Sequence, residues 1–226
     1  MSEQMSEFSS FVTRLKSRVG AGVLAPAPGP DEAAGFESRE EDDEESGKRP
    51  RQAAVALVLR GGVEGPELLV IKRSEAERDH WSGHLALPGG RAEAEDENLL
   101  ATAVRETLEE VGLDLRAGGE VLGRLGTVTP QSPLVPRISV TPFLTVAPRE
   151  YHAGDVDGAP EQLVLSGEVA AAFWIPVDEL KRGGRSAVFR MAFAGVEREW
   201  PGYPSEHGVI WGITERILTE FLSLVD

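Results

Sequence analysis

Apolar residues recur along this chain in two rhythms, one of helices and one of strands. Near the start, Phe8, Phe11, Val12, Leu15 and Val19 stand three or four residues apart. That spacing predicts a helix over residues 3–19 with a single apolar face. Packing of that face on the rest of the fold is favoured over a partner-binding role. Residues 21–50 lose the rhythm and carry Pro26, Pro28, Pro30 and a dense acidic run. Such a composition cannot bury enough apolar surface to fold, so a linker is predicted there.

From Arg51 the pattern turns β-like. Ala53 to Leu59 and Leu68 to Ile71 are short apolar runs separated by Gly61-Gly62 and Gly65-Pro66, and they read as a strand pair. Asp96 to Val111 reads as a helix ended by Gly112. Further strands are predicted near Val121–Val128, Ile138–Val146, Leu163–Leu165 and Ala170–Ile175, with a hairpin of Val188–Phe193 and Val196–Trp200. Val209 to Val225 reads as a closing helix. Strands and helices mix without regular alternation, which predicts an α/β sandwich around a mixed sheet. The expected organisation is a helix in 1–20, an acidic, proline-rich linker in 21–50 and one domain in 51–226.

Composition narrows the chemistry. The 226 residues include no cysteine, which excludes disulfides, thiolate metal sites and cysteine nucleophiles. No apolar run is long enough to span a bilayer, and the first residues do not resemble a secretory signal. A cytoplasmic protein without membrane contacts is expected. The net charge is −15, which disfavours nucleic-acid backbones as partners. Between Asp31 and Lys48, however, nine acids face two bases. Nearly half of the excess therefore sits in the linker, and an anionic small molecule stays open as a ligand of the domain.

The helix after Asp96 is the informative element. Glu106, Glu109 and Glu110 stand at i, i+3 and i+4, which predicts three carboxylates on one face, with Leu100, Val104, Leu108 and Val111 roughly opposite. Like charges at that spacing destabilise a helix by a few tenths of a kcal/mol per pair, and Arg105 is the only base nearby. A hard divalent cation such as Mg²⁺, which takes oxygen ligands, would relieve the repulsion. Gly89-Gly90, just upstream, allows a tight turn and a close backbone approach to a metal or phosphate.

The run Pro88-Gly89-Gly90, Asp96, Arg105-Glu106-Thr107-Leu108-Glu109-Glu110-Val111-Gly112-Leu113 resembles the Nudix box. Thr107 stands where a bulky apolar residue is usual. Eight residues separate Asp96 from Arg105, one more than in the common box. This longer spacing, with Asp for Glu, is similar to the coenzyme A pyrophosphatase branch. The resemblance implies a Nudix-type mixed-sheet α/β/α sandwich and a hydrolase of nucleotide diphosphates that needs Mg²⁺ or Mn²⁺. It implies Glu106, Glu109 and Glu110 as metal ligands, a backbone contact from Gly89 or Gly90, and Arg105 as an orienting ion-pair partner. The general base of this family can lie outside the box, and Glu168 after a predicted strand is one candidate.

Three further stretches resemble the same branch: Leu68 to Ser74 through Arg78, His80 and Gly83; Glu168-Val169 leading into Phe173-Trp174-Ile175-Pro176; and Val209 to Thr214. Val70 stands where Thr is usual, Leu87 replaces a Phe, and two residues instead of one separate His80 from Gly83. Lys72, Arg73, Arg78 and His80 are candidate contacts for substrate phosphates. Trp174 and Trp211 read as core residues. Coenzyme A or its acyl derivatives lead as substrate, ahead of ADP-ribose or another diphosphate. A nucleotide-binding regulator without catalysis is a third reading, disfavoured by the complete Arg-Glu-x-x-Glu-Glu. Oligomeric state is open, with a homodimer as the assembly to test.

Overall fold

Strand β1 (Arg51–Gly62) is the centre of the fold in a computed structural model that describes residues 3–20, 51–75, 83–130, 138–153, 162–193 and 196–225. Its side chains alternate between two apolar clusters, as a strand buried on both faces requires. Ala53, Leu57 and Leu59 join one cluster, whereas Ala54, Ala56 and Val58 join the other. The first cluster takes Phe8, Phe11, Val12 and Leu15 from helix α1 (Glu3–Gly20) and Ile217, Leu218 and Phe221 from helix α4 (Gly212–Leu224). The second takes Ala103, Val104 and Val111 from helix α2 (Leu99–Val111). The sheet thus lies between helices on both faces, giving the α/β/α sandwich expected from the sequence.

Around β1 the sheet is mixed. Strand β2 (Gly65–Arg73) folds back on β1 as an antiparallel hairpin, and β6 (Ile138–Val146) runs parallel to β1 from Arg51 to Leu59. Short strands β3 (Leu85–Ala86) and β4 (Gly89–Arg91) pair with β2 and β1. Strand β5 (Glu120–Arg124) lies outside β6, and β7 (Val169–Pro176) lies outside β2. After helix α3 (Val177–Gly183), strands β8 (Ala187–Phe193), β9 (Val196–Ser205) and β10 (Gly208–Trp211) form an antiparallel sheet.

Several expectations need correction. The central helix starts at Leu99, not Asp96, because the Asn98 side chain caps it and Asp96 is left in the preceding turn. The strand expected to reach Val128 ends at Arg124, and Val128 makes only an isolated bridge to Val140. Leu163–Leu165 is not a strand, since the Val164 amide is spent on the end of α2. Val209–Trp211 pairs as β10, and the last helix begins only at Gly212. An apolar run of three residues fits either period, so only pairing decides it. Strands β3 and β4 and helix α3 were not foreseen. The linker 21–50 and the residues Arg78 and His80 lie outside the described residues.

Candidate active site

Helix α2 and strand β4 build the site together. The Asn98 side chain accepts the Ala101 amide at 3.0 Å, satisfying one of the donors that a helix start leaves open. From that start the helix turns Ala103, Thr107, Glu110 and Val111 toward the sheet, all of them buried. Glu110 therefore does not share an open face with the other two carboxylates, as the spacing suggested. Glu109 is exposed, Glu106 half-buried and Glu110 buried. Burial of Glu110 is tolerated because the Gly89 amide donates to its Oε2 at 2.9 Å, pairing a group that would otherwise be costly to desolvate.

The approach of helix to strand depends on missing side chains. A Cβ at Gly90 would fall 2.3 Å from Glu106 Oε1. The carboxylate of Glu106 thus lies directly against the backbone of β4.

Arg105 holds the upper part of the site. Its Nε and Nη2 donate to the two Asp96 oxygens at 3.0 Å each, and Nη2 also reaches the Arg91 carbonyl at 3.1 Å. Its Nη1 donates to Glu106 Oε1 at 3.1 Å and to Glu109 Oε2 at 3.0 Å. Part of the repulsion along the helix is therefore relieved by a guanidinium. Asp96 is fixed in turn by the Thr102 hydroxyl at 2.8 Å and the Glu93 amide at 2.9 Å. Burial pushes the Asp96 carboxyl up, but its bonds to Arg105, Glu93 and Thr102 outweigh that and hold it below the ordinary aspartate range. The bond to Asp96, with the charges of Glu106, Asp96 and Glu109, pushes Arg105 up despite its partial burial. The sequence motif includes Asp96 without assigning it a role; an acid at fixed distance before the arginine is the signal it carries.

Below Arg105 the balance reverses. Burial raises Glu106, and the nearby Arg105 only partly offsets this. Burial pushes Glu110 up to about 7, against the lowering effect of the Gly89 amide; Glu106 and Glu168 raise it further and Arg73 lowers it. Glu106, Glu110, Glu168 and Arg73 are thus brought into one electrostatic neighbourhood. Arg73 ends β2 at a register shift against β7, and the Ser74 amide donates to the Glu168 carbonyl at 2.8 Å. Lys72 lies one residue before, on β2 between β3 and β7.

Among the described residues, no three His, Asp or Glu side chains are already drawn into a metal cage. The acids instead bond Arg105 and the Gly89 amide. The donor set nevertheless fits a hard divalent cation: it is all oxygen, partly desolvated, crowded with like charge, and backed by a strand whose Gly90 leaves no room for a side chain. Trp211 is buried as expected, stacked on Phe189 at 4.3 Å. Trp174 is half-buried, with the Arg60 guanidinium 4.3 Å above its ring.

Comparison with known proteins agrees with this geometry. The NUDIX domain family matches residues 49–192. A protein of Enterobacter sp. named Nudix hydrolase NudL is 34% identical over 173 residues, covering 75% of this chain and 80% of that protein. A Schizosaccharomyces pombe protein is 36% identical over 118 residues, which is 51% of this chain and 33% of that much longer relative. The crystal structure of a MutT/nudix family protein from Enterococcus faecalis superposes with a TM-score of 0.51 at 18% identity, covering 82% of this chain and 66% of that one; it supports the fold.

Proposed function

This chain belongs to the Nudix family, and from that premise we propose that it cleaves the diphosphate linkage of coenzyme A or acyl-coenzyme A. The products are 3′,5′-ADP and phosphopantetheine or its acyl form. As a Nudix hydrolase the chain acts on a small nucleotide substrate. The observation that carries the reading is buried Glu110 bound by the Gly89 amide, with Glu106 against the bare backbone of Gly90 and Glu168 near enough to raise Glu110. The choice of coenzyme A is supported by the longer box spacing and by the basic run from Lys72 through Arg73 and Arg78 to His80.

In this reading Glu106, Glu109 and Glu110, with a backbone group of Gly89 or Gly90, hold Mg²⁺ or Mn²⁺. When bound, the cation neutralises charge on the diphosphate and eases ionisation of water. Arg105 sets the direction of Glu106 and Glu109 through its two Nη1 bonds. Glu168 receives the proton of the attacking water, the work of a general base. Arg73 ends β2 and lies near enough to Glu110 to lower it, and in this reading it meets the diphosphate. Lys72, Arg78 and His80 supply donors to the remaining phosphates.

The test is a substrate panel of coenzyme A, an acyl-coenzyme A, dephospho-coenzyme A and ADP-ribose, with products identified by chromatography. The expected result is 3′,5′-ADP and phosphopantetheine in Mg²⁺ or Mn²⁺ and no turnover in excess chelator. Preference for ADP-ribose over both coenzyme A forms would overturn the substrate. Full activity in chelator would overturn the metal.

A further inference from the structure

The segment 162–168 lies across the end of α2 without regular structure of its own, yet its backbone is not loose. The Val164 amide donates to the Val111 carbonyl at 2.9 Å, and the Ser166 amide donates to the Glu110 carbonyl at 3.0 Å. These are two of the carbonyls that a helix end leaves without partners. Burial holds it only at Leu163, which packs in part against the cluster that α2 joins; Val164 is 73% exposed and Leu165 39%. Beyond Leu163, its position is set by bonds to the helix that carries Glu110.

Those bonds lead directly to Glu168. The Ser166 hydroxyl accepts the Glu168 amide at 3.3 Å, and the Ser166 carbonyl accepts the Val169 amide at 3.2 Å. On the far side the Glu168 carbonyl is bound by the Ser74 amide. Glu168 is therefore pinned between the end of α2 and the end of β2. Its charge is felt at Glu110, as this placement requires.

Contact between segment and helix is possible because of Gly112. Its φ of 71° is a left-handed conformation, and a Cβ there would meet Val164 Cβ at 2.9 Å and the Val164 carbonyl oxygen at 3.1 Å. Any side chain at 112 pushes Val164 away from the helix.

We infer that residues 162–168 form a positioning strap, in which Gly112, Val164 and Ser166 fix the stance of Glu168 over the site by tying it to the last carbonyls of α2. The inference rests on the proposed reading of Glu168 as general base. These three residues are positioning residues; none touches the substrate.

The experiment is a kinetic cycle with coenzyme A on the full chain: wild type, Gly112→Ala, Glu168→Gln and their double variant, with Val164→Gly, alone and combined with Glu168→Gln, as a second way to loosen the strap that leaves the helix end intact. Misplacement of a reacting group by about 1 Å costs on the order of 100-fold. Gly112→Ala and Val164→Gly are expected to lower kcat by about 10- to 100-fold, with KM within about twofold. In the Glu168→Gln background neither should lower kcat further. Amide exchange at Val164 and Ser166 should accelerate in Gly112→Ala and stay slow in Glu168→Gln. If Glu168→Gln is slow but Gly112→Ala and Val164→Gly multiply that loss, the strap is overturned and the general base stands. If Glu168→Gln turns over like wild type, the general base falls, and the inference with it. Should Gly112→Ala fail to fold, the Val164→Gly arm decides alone.

Discussion

Arg105 and Asp96 form the pair on which the upper site turns, and their fork of two bonds is mostly shielded from water. Losing a charged hydrogen-bond partner costs about 1.5–3 kcal/mol. Asp96→Asn is expected to destabilise the protein by that amount at neutral pH, measured by denaturant unfolding. The sign with pH follows from the lowered carboxyl. A group whose folded pKa is depressed contributes fully above its unfolded value, about 3.9, and its contribution is lost as pH falls through the folded value. Wild type and Asp96→Asn should therefore converge in acid and diverge toward neutrality; a difference constant with pH would contradict the pairing. Arg73 gives a second test. It is proposed to meet the diphosphate, so Arg73→Ala should lower kcat/KM about 10- to 150-fold equally on coenzyme A and on dephospho-coenzyme A. A loss confined to coenzyme A would place Arg73 at the 3′-phosphate instead.

At the scale of elements, helix α1 belongs to the core of the sandwich. Phe8, Phe11, Val12 and Leu15 are all buried in the cluster of β1 and α4, and Lys16 bridges to Glu120 at 2.7 Å. A fully buried side chain of this size contributes about 1.5–3 kcal/mol. A chain beginning at Arg51 should lose several such contributions and melt at least about 10 °C lower. A chain that keeps residues 1–20 and replaces 21–50 with a short flexible link should retain melting temperature and kcat. Equal melting of both forms would mean that α1 adds nothing. The stripe of apolar positions made this helix and its buried face legible, because four consecutive contacts repeat one period. The start of α2 was less legible: an Asn cap competes with an acidic run that also suits a first turn. The burial of Glu110 could not be read at all, since helical spacing gives a face but not what stands opposite it. Here the opposing group is the Gly89 amide of a three-residue strand, too short to leave a pattern.

At the scale of the molecule, a sheet covered on both faces places the C-terminal turn of one helix, a glycine strand and the ends of β2 and β7 at one point. The motif Arg105 to Gly112 could be recognised because its chemistry is concentrated in one helix. The path of residues 162–168 could not, because their two bonds to α2 run from backbone to backbone and carry no residue signature. Among the described residues, no helix is long and apolar enough to cross a membrane. Glu110 and its neighbours are the proposed catalytic centre for diphosphate cleavage. The most direct measurement is kcat/KM of Glu110→Gln on coenzyme A beside its melting curve. The amide side chain can still accept the Gly89 bond, so the fold should persist. The expected result is a loss of more than about 100-fold with an unchanged melting temperature; activity within threefold of wild type, a factor of about 0.7 kcal/mol, would contradict the account.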